Sequence, residues 1–168
     1  MTFELETERL RLRQLRESDH VPLMQFYADP EMTRFLGGTA DAANTWQWLL
    51  ASIGHWSLRG FGNFAVEEKS GGAFCGAIGL TMHFDWPELE VGWRVVRVKQ
   101  GLGYATEAAR RVRDYAYDTL RADTLVSYID PANEASKRVA QRMGAKLDGT
   151  IILRGVEVEV HRHPHPLH

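Results

Sequence analysis

The stretch that most constrains this chain is Val95-Val96-Arg97-Val98-Lys99-Gln100-Gly101-Leu102-Gly103-Tyr104-Ala105-Thr106-Glu107-Ala108. An apolar, β-branched run ends at Arg97, a short basic and glycine-containing segment follows, and an alanine-rich helical pattern begins. This predicts a strand, a tight turn and the exposed start of a helix. Gly101 and Gly103 open backbone conformations closed to other residues and let the main chain approach a ligand. The unpaired N–H groups of a first helical turn, with the positive end of the helix dipole behind them, bind phosphate well. Lys99 and Gln100 add a charge and a side-chain donor. Two glycines alone also fit a compact turn with no ligand. A Walker loop is excluded, because no Gly-Lys-Ser/Thr follows. A dinucleotide fingerprint is excluded too, since Thr106 stands where a third glycine or alanine belongs.

The 168 residues suit one domain, 1–168. A formal charge of −2 argues against a general nucleic-acid or anionic-membrane binder. Cys75 is the only cysteine and lies in an apolar run, so it reads as a buried structural thiol. No apolar run approaches ~20 residues and no leader pattern precedes the first strand. A soluble, cytoplasmic protein is expected.

The remaining pattern is one of alternating strands and striped helices. Leu10 and Leu12 alternate with Arg9, Arg11 and Arg13 as a half-buried strand. Ser18-Asp19 starts a short helix that Asp29-Pro30 stops, and a loop runs on to Gly37-Gly38. Asp41 or Thr39 starts a second helix, whose Trp46, Leu49, Leu50, Ile53 and Trp56 read as a core stripe. Strands follow at Phe64 to Glu67, Ala73 to Leu80 and Glu88 to Val95. Period two puts Glu88, Glu90, Gly92 and Arg94 on one face of the last of these. After the glycine turn come a helix through Ala116, a strand Thr124 to Tyr128 and a helix Glu134 to Met143. Strands Leu147 to Leu153 and Val156 to Val160 close the chain, the last with one wet face. The tail 161–168 is rich in His and Pro; it is expected to be flexible and to hold no metal.

Gly92-Trp93, seven residues and then Gly101 to Ala108 resemble the acetyl-CoA-binding motif of the GCN5-related N-acetyltransferases. The Gly-Tyr-Ala-Thr-Glu-Ala ending is most similar to the branch that acetylates N-termini of ribosomal proteins. That branch opens with Thr-Glu-Arg-Leu-x-Leu-Arg-x-Leu, matched by Thr7 to Leu15. It also carries Asn-x-x-Ser before a Gly-Phe pair, matched by Asn133, Ser136 and Gly144-Ala145. The resemblance implies an α/β (α+β) GNAT fold: a mixed, mostly antiparallel sheet of about seven strands, splayed at the acetyl-CoA site, with about four helices.

It also implies the chemistry. Acetyl-CoA is the co-substrate, and no metal takes part. Trp93 and Val95 offer backbone to the pantetheine arm, while Gln100, Gly101, Leu102, Gly103, Tyr104, Ala105 and Thr106 cradle the pyrophosphate. Phe26, Tyr27, Met32 and Phe35 belong to an acceptor wall. Glu90 is the candidate base, with Glu88 weaker; a solvated strand-face glutamate is the alternative. Many relatives place a Tyr seven residues after the Asn to meet the leaving thiolate. Here that position is Ala140, so Ser136 takes the role and Asn133 anchors the pantetheine amide, unless both simply cap the helix. Val98, Arg97 and Ala145 also depart from the pattern. The expected acceptor is a primary amine, a protein N-terminal α-amine first. The alternatives are a small-molecule amine and a non-catalytic acyl-CoA-binding module, and the protein is a monomer or homodimer.

Overall fold

The alternating runs pair into one mixed sheet, and the striped segments lie on its two faces. The computed structural model describes residues 3–165. Its strands are β1 (Glu4–Glu6), β2 (Leu10–Gln14), β3 (Asn63–Glu68), β4 (Phe74–Thr81), β5 (Glu90–Val95), β6 (Val126–Ile129), β7 (Lys146–Leu153) and β8 (Val156–Arg162). The helices are α1 (His20–Ala28), α2 (Pro30–Thr33), α3 (Ala42–Arg59), α4 (Tyr104–Asp118) and α5 (Glu134–Arg142). The sheet order is β1-β2-β3-β4-β5-β6-β8-β7. Every neighbouring pair is antiparallel except β5–β6, where the chain crosses over through α4. No helix among the described residues is long and apolar enough to cross a membrane.

Two cores sandwich the sheet. Helix α4 buries Ala108, Ala109, Val112, Tyr115 and Ala116 against Phe64, Ile78, Leu80 and Val91. The small alanines let it lie close to the strands. On the opposite face α1 and α3 bring Leu23, Phe26, Tyr27 and Leu49 onto Ala65 and Ala77. Close approach also governs β4 and β5. A Cβ on Gly76 would sit 1.9 Å from the Arg94 carbonyl oxygen, so only glycine fits there.

The eight strands exceed the seven expected because β1 is only Glu4-Leu5-Glu6, with Leu5 alone buried. Four residues of α2 likewise occupy what reads as loop. The stripe on α3 is rotated from the expected one. Thr45, Leu49 and Ser52 are buried, whereas Leu50 and Ile53 are exposed. Small Thr45 and Ser52 bring the helix nearer the sheet than a wall of leucines allows. Asp41 caps this helix by accepting from Asn44 N–H at 2.8 Å.

Strand β8 also runs past Val160 into the segment read as a flexible tail. His161 and His163 are buried, and the His163 ring lies 2.9 Å from Ser127 Oγ. Burial pushes the His163 imidazole down to about 4. Residues 161–165 are therefore docked on β6 and α4, while 166–168 lie outside the described residues. The expected single wet face of β8 is not seen: Val160 and His161, on opposite faces, are both buried. The outer part of the β7–β8 arm is exposed on both faces, Ile152 and Val156 included.

Candidate active site

The only register between β5 and β6 is Glu90 with Val126. Beyond it the strands part, and Ser127 Oγ bridges the start of the gap by donating to the Val91 carbonyl at 2.7 Å. Backbone groups along a strand alternate in direction, so the amides of Trp93 and Val95 turn the same way as that of Val91, into the opening. The sheet thus presents main-chain donors and acceptors in the place where an extended ligand can pair as a strand.

The glycine turn closes one end of the opening. Gly101 and Gly103 have φ of 76° and 83°, and Gly103 is the N-cap of α4 with no side-chain cap. Apart from its chain neighbours, no atom of the described residues lies within 4 Å of a Cβ built on Gly101. The first N–H groups of α4, from Tyr104 to Thr106, therefore have no side chain competing for them, and Leu102 is exposed beside them.

The side chains around this turn are engaged elsewhere. Lys99 Nζ and the Tyr104 hydroxyl both bond Glu68, at 2.8 and 2.7 Å, and Arg97 pairs with Asp29 at 2.7 Å. Gln100 Nε2 donates to the Val95 carbonyl at 3.1 Å. Lys99 and Gln100 hold the turn rather than line its mouth with free donors. Glu107, in the first turn of α4, accepts from Thr7 Oγ1, Arg9 N and Arg9 Nε at 2.5, 3.0 and 2.7 Å. Two stretches of family-like sequence, Thr7 to Leu15 and Gly101 to Ala108, thus meet in one hydrogen-bonded knot. Ala105 and Thr106 pack inward, and Val98 is exposed.

Glu90 lies on the other face of β5. Trp86 Nε1 donates to its carboxylate at 2.7 Å. Burial pushes the Glu90 carboxyl above the usual carboxylate range, while the Trp86 N–H and the Arg94 charge pull it back in part. Glu88, by contrast, is taken: Arg162 and Thr124 both bond it at 2.7 Å and hold it below that range. An aromatic rim surrounds Glu90. His83 stacks edge-on against Trp86 at 4.6 Å, and Arg154 from the β7–β8 turn lies 4.4 Å over the same indole. Across the face, Tyr27 and Trp48 have ring centroids 5.5 Å apart.

In the opening itself, Asn133 Oδ1 accepts from Ser136 N at 3.1 Å, the capping contact at the start of α5. Ser136 Oγ accepts from Trp93 Nε1 at 3.3 Å, which leaves its own proton free to donate. Trp93 packs on Ile129, Ala140 and Ala145. The two alanines that depart from the family pattern make room for this indole.

The expected residues therefore fall into two groups, the backbone at Trp93–Thr106 beside Ser136 and the carboxylate of Glu90 on the opposite face. Sequence reading missed Trp48 and Arg94, which carry no motif; the only sequence signal was that Arg94 shares a strand face with Glu90. No cluster of three or more His, Cys, Asp or Glu placed to hold a metal occurs among the described residues. A separate cleft of about 490 Å³, lined by Tyr117, Lys146 and Arg162, lies at the far end of α4. It is ~20 Å from the glycine turn along that helix, too far to belong to the site.

Comparison with known proteins adds to this geometry. Residues 9–146 match the acetyltransferase (GNAT) domain family. The chain is 31% identical to YkkB of Bacillus subtilis (strain 168) over 156 residues, 88% of each chain. It is 27% identical to the N-acetyltransferase p20 of Bacillus licheniformis, covering 88% of this chain and 84% of that one. Among solved structures it superposes on an acetyltransferase from Agrobacterium tumefaciens str. C58 with a TM-score of 0.88 and 35% identity, covering 96% and 94% of the two chains.

Proposed function

The chain belongs to the GNAT acetyltransferase family and is an N-acetyltransferase, and from that premise we propose that it moves the acetyl group of acetyl-CoA directly onto a primary amine, a protein N-terminal α-amine first. The observation that carries this reading is the split between β5 and β6 ending on an uncapped glycine turn, with Glu90 on the opposite face.

Each chemical requirement has a group to meet it. The uncapped N–H groups of Tyr104 to Thr106 take the pyrophosphate oxygens, and the backbone of Trp93 and Val95 pairs with the pantetheine amides. An ammonium has no lone pair, so Glu90, itself or through a water, removes its proton before attack. A carboxyl raised by burial is a stronger base than an exposed one, and Trp86 fixes its orientation. A main-chain N–H of β5 near Val95 donates to the carbonyl oxygen as it gains charge. Ser136, held by Trp93, donates to the departing thiolate. No covalent enzyme intermediate is needed. The presence of Glu90 and Ser136 favours turnover over a pure binding module. Cys75, buried and pushed up to about 11, stays a thiol and suits a reducing, cytoplasmic setting.

The test is calorimetric titration with acetyl-CoA of wild type and Gly103→Asp, followed by a screen of peptides against small amines. Wild type binds at micromolar Kd; the aspartate, which puts a negative charge at the start of α4, weakens binding about 100-fold or more while circular dichroism is unchanged. No binding by folded wild type overturns the reading.

A further inference from the structure

One arginine stands apart from the others on the sheet. Arg13, Arg97, Arg154 and Arg162 each lie within 2.8 Å of a carboxylate oxygen. Arg94 does not follow them. Its guanidinium carbon sits 5.1 Å from the Trp48 ring centroid, and its Nε is buried with no hydrogen-bond partner among the described residues. A guanidinium has five N–H donors and no acceptor, and a buried donor left unmade is costly. An indole face meets the charge but none of the directed N–H bonds.

Between Arg94 and Glu90 the strand carries no side chain on this face. Residues 90, 92 and 94 share one face of β5, and the middle one is glycine. Apart from its chain neighbours, the sole atom of the described residues within 4 Å of a Cβ built on Gly92 is Glu90 Oε1, at 3.9 Å. The carboxylate therefore leans over a floor with no side chain, toward the cation at its other end. Tyr27 and Trp48 wall this floor; the Arg94 guanidinium reaches the Tyr27 hydroxyl and its charge reaches Glu90, while its Nε keeps no partner among the described residues. A negative site for an ammonium and a positive site for an anion stand on one strand face with an empty position between them.

We propose that Arg94 is an anion-recognition residue for the acceptor, so that the amine this enzyme acetylates carries a carboxylate close to its amino group. This rests on the acetyl-transfer reading above and names its substrate class. The ammonium approaches Glu90 while the carboxylate takes the paired N–H groups of Arg94, and Gly92 leaves room for the carbon skeleton. A carboxylate so placed has two sources: the α-carboxylate of a free amino acid, or the side chain of an acidic first residue in a peptide.

The test uses the full chain and matched acceptors: free amino acids against their amides, and peptides beginning with aspartate or glutamate against those beginning with asparagine or glutamine. Acetyl transfer and calorimetric binding to CoA-saturated protein are both read. Wild type prefers the carboxylate member of one series by about tenfold or more in kcat/KM and in affinity. The series that shows it identifies the source. Compared at a pH above the range in which Glu90 ionises, because the Arg94 charge also lowers that carboxyl, Arg94→Gln erases the preference through KM for the acids and leaves acetyl-CoA binding unchanged; Arg94→Lys restores part. Equal use or binding of acid and amide by wild type overturns the proposal, as does an equal loss on both in Arg94→Gln. Failure of acetyl-CoA to bind sinks the acetyltransferase reading instead, so the two failures are told apart.

Discussion

Around the glycine turn every charge has a fixed opposite: Lys99 rests on Glu68, Arg97 on Asp29, and Arg9 on Glu107. On the α3-facing side of β5 the charges are met by aromatic rings and an indole N–H instead, Glu90 by Trp86 and Arg94 by Trp48. The difference matches two ways of binding. A main chain can serve as ligand only if held in one conformation, and matched ion pairs hold it. A side chain that must exchange a proton or grip an anion has to be kept from permanent partners.

The comparison breaks most sharply at Glu90. Glu90→Gln keeps the shape and the Trp86 contact but removes the base, and kcat falls about 10²- to 10⁴-fold with acetyl-CoA affinity unchanged. Because burial raises this carboxyl, the wild-type rate rises with pH through a limb above the ordinary carboxylate range as the carboxylate forms. The glutamine variant lacks that limb in its pH–rate profile. An unchanged kcat and limb would show that Glu90 is a bystander and water the base.

On the matched side, Glu107→Ala removes three hydrogen bonds and strands Thr7 and Arg9. Stability falls by about 2 kcal/mol. Tm then falls ~4–8 °C in a thermal melt. Burial alone would raise the Glu107 carboxyl, but the bonds from Thr7 and Arg9 leave it below its ordinary value. Its contribution is therefore present above the ordinary carboxylate pKa and lost as pH falls through the lowered one, so wild type and variant converge in acid. A gap that persists at low pH would mean the effect is packing alone.

The smallest effect lies between the two regions. Trp93→Phe keeps the ring against Ala140 and Ala145 but frees Ser136, so kcat drops only about three- to tenfold. That loss belongs to the step in which the thiolate leaves, and it shrinks with an acyl donor whose thiol is more acidic. Equal losses with both donors would make the indole a packing group only.

Much of this site is legible in the chain because its determinants are local. The glycine turn, the uncapped start of α4, the Asp41 and Asn133 caps and the Gly60 C-cap depend on residues a few positions apart, whose φ/ψ freedom and side-chain reach fix them. The element order follows from those local signals, and the resemblance to the family from the motifs at Thr7–Leu15, Gly92–Ala108 and Asn133–Ser136. On α3 periodicity placed Leu49, Trp46 and Trp56 on the core side but misplaced Leu50 and Ile53, which are exposed, and missed Thr45 and Ser52. The knot of Thr7 and Arg9 with Glu107, the docking of His163 on Ser127 and the seating of Arg94 over Trp48 join residues about 36 to 100 positions apart. Such pairings are set by strand order and by how the layers pack, and only the tertiary structure decides them.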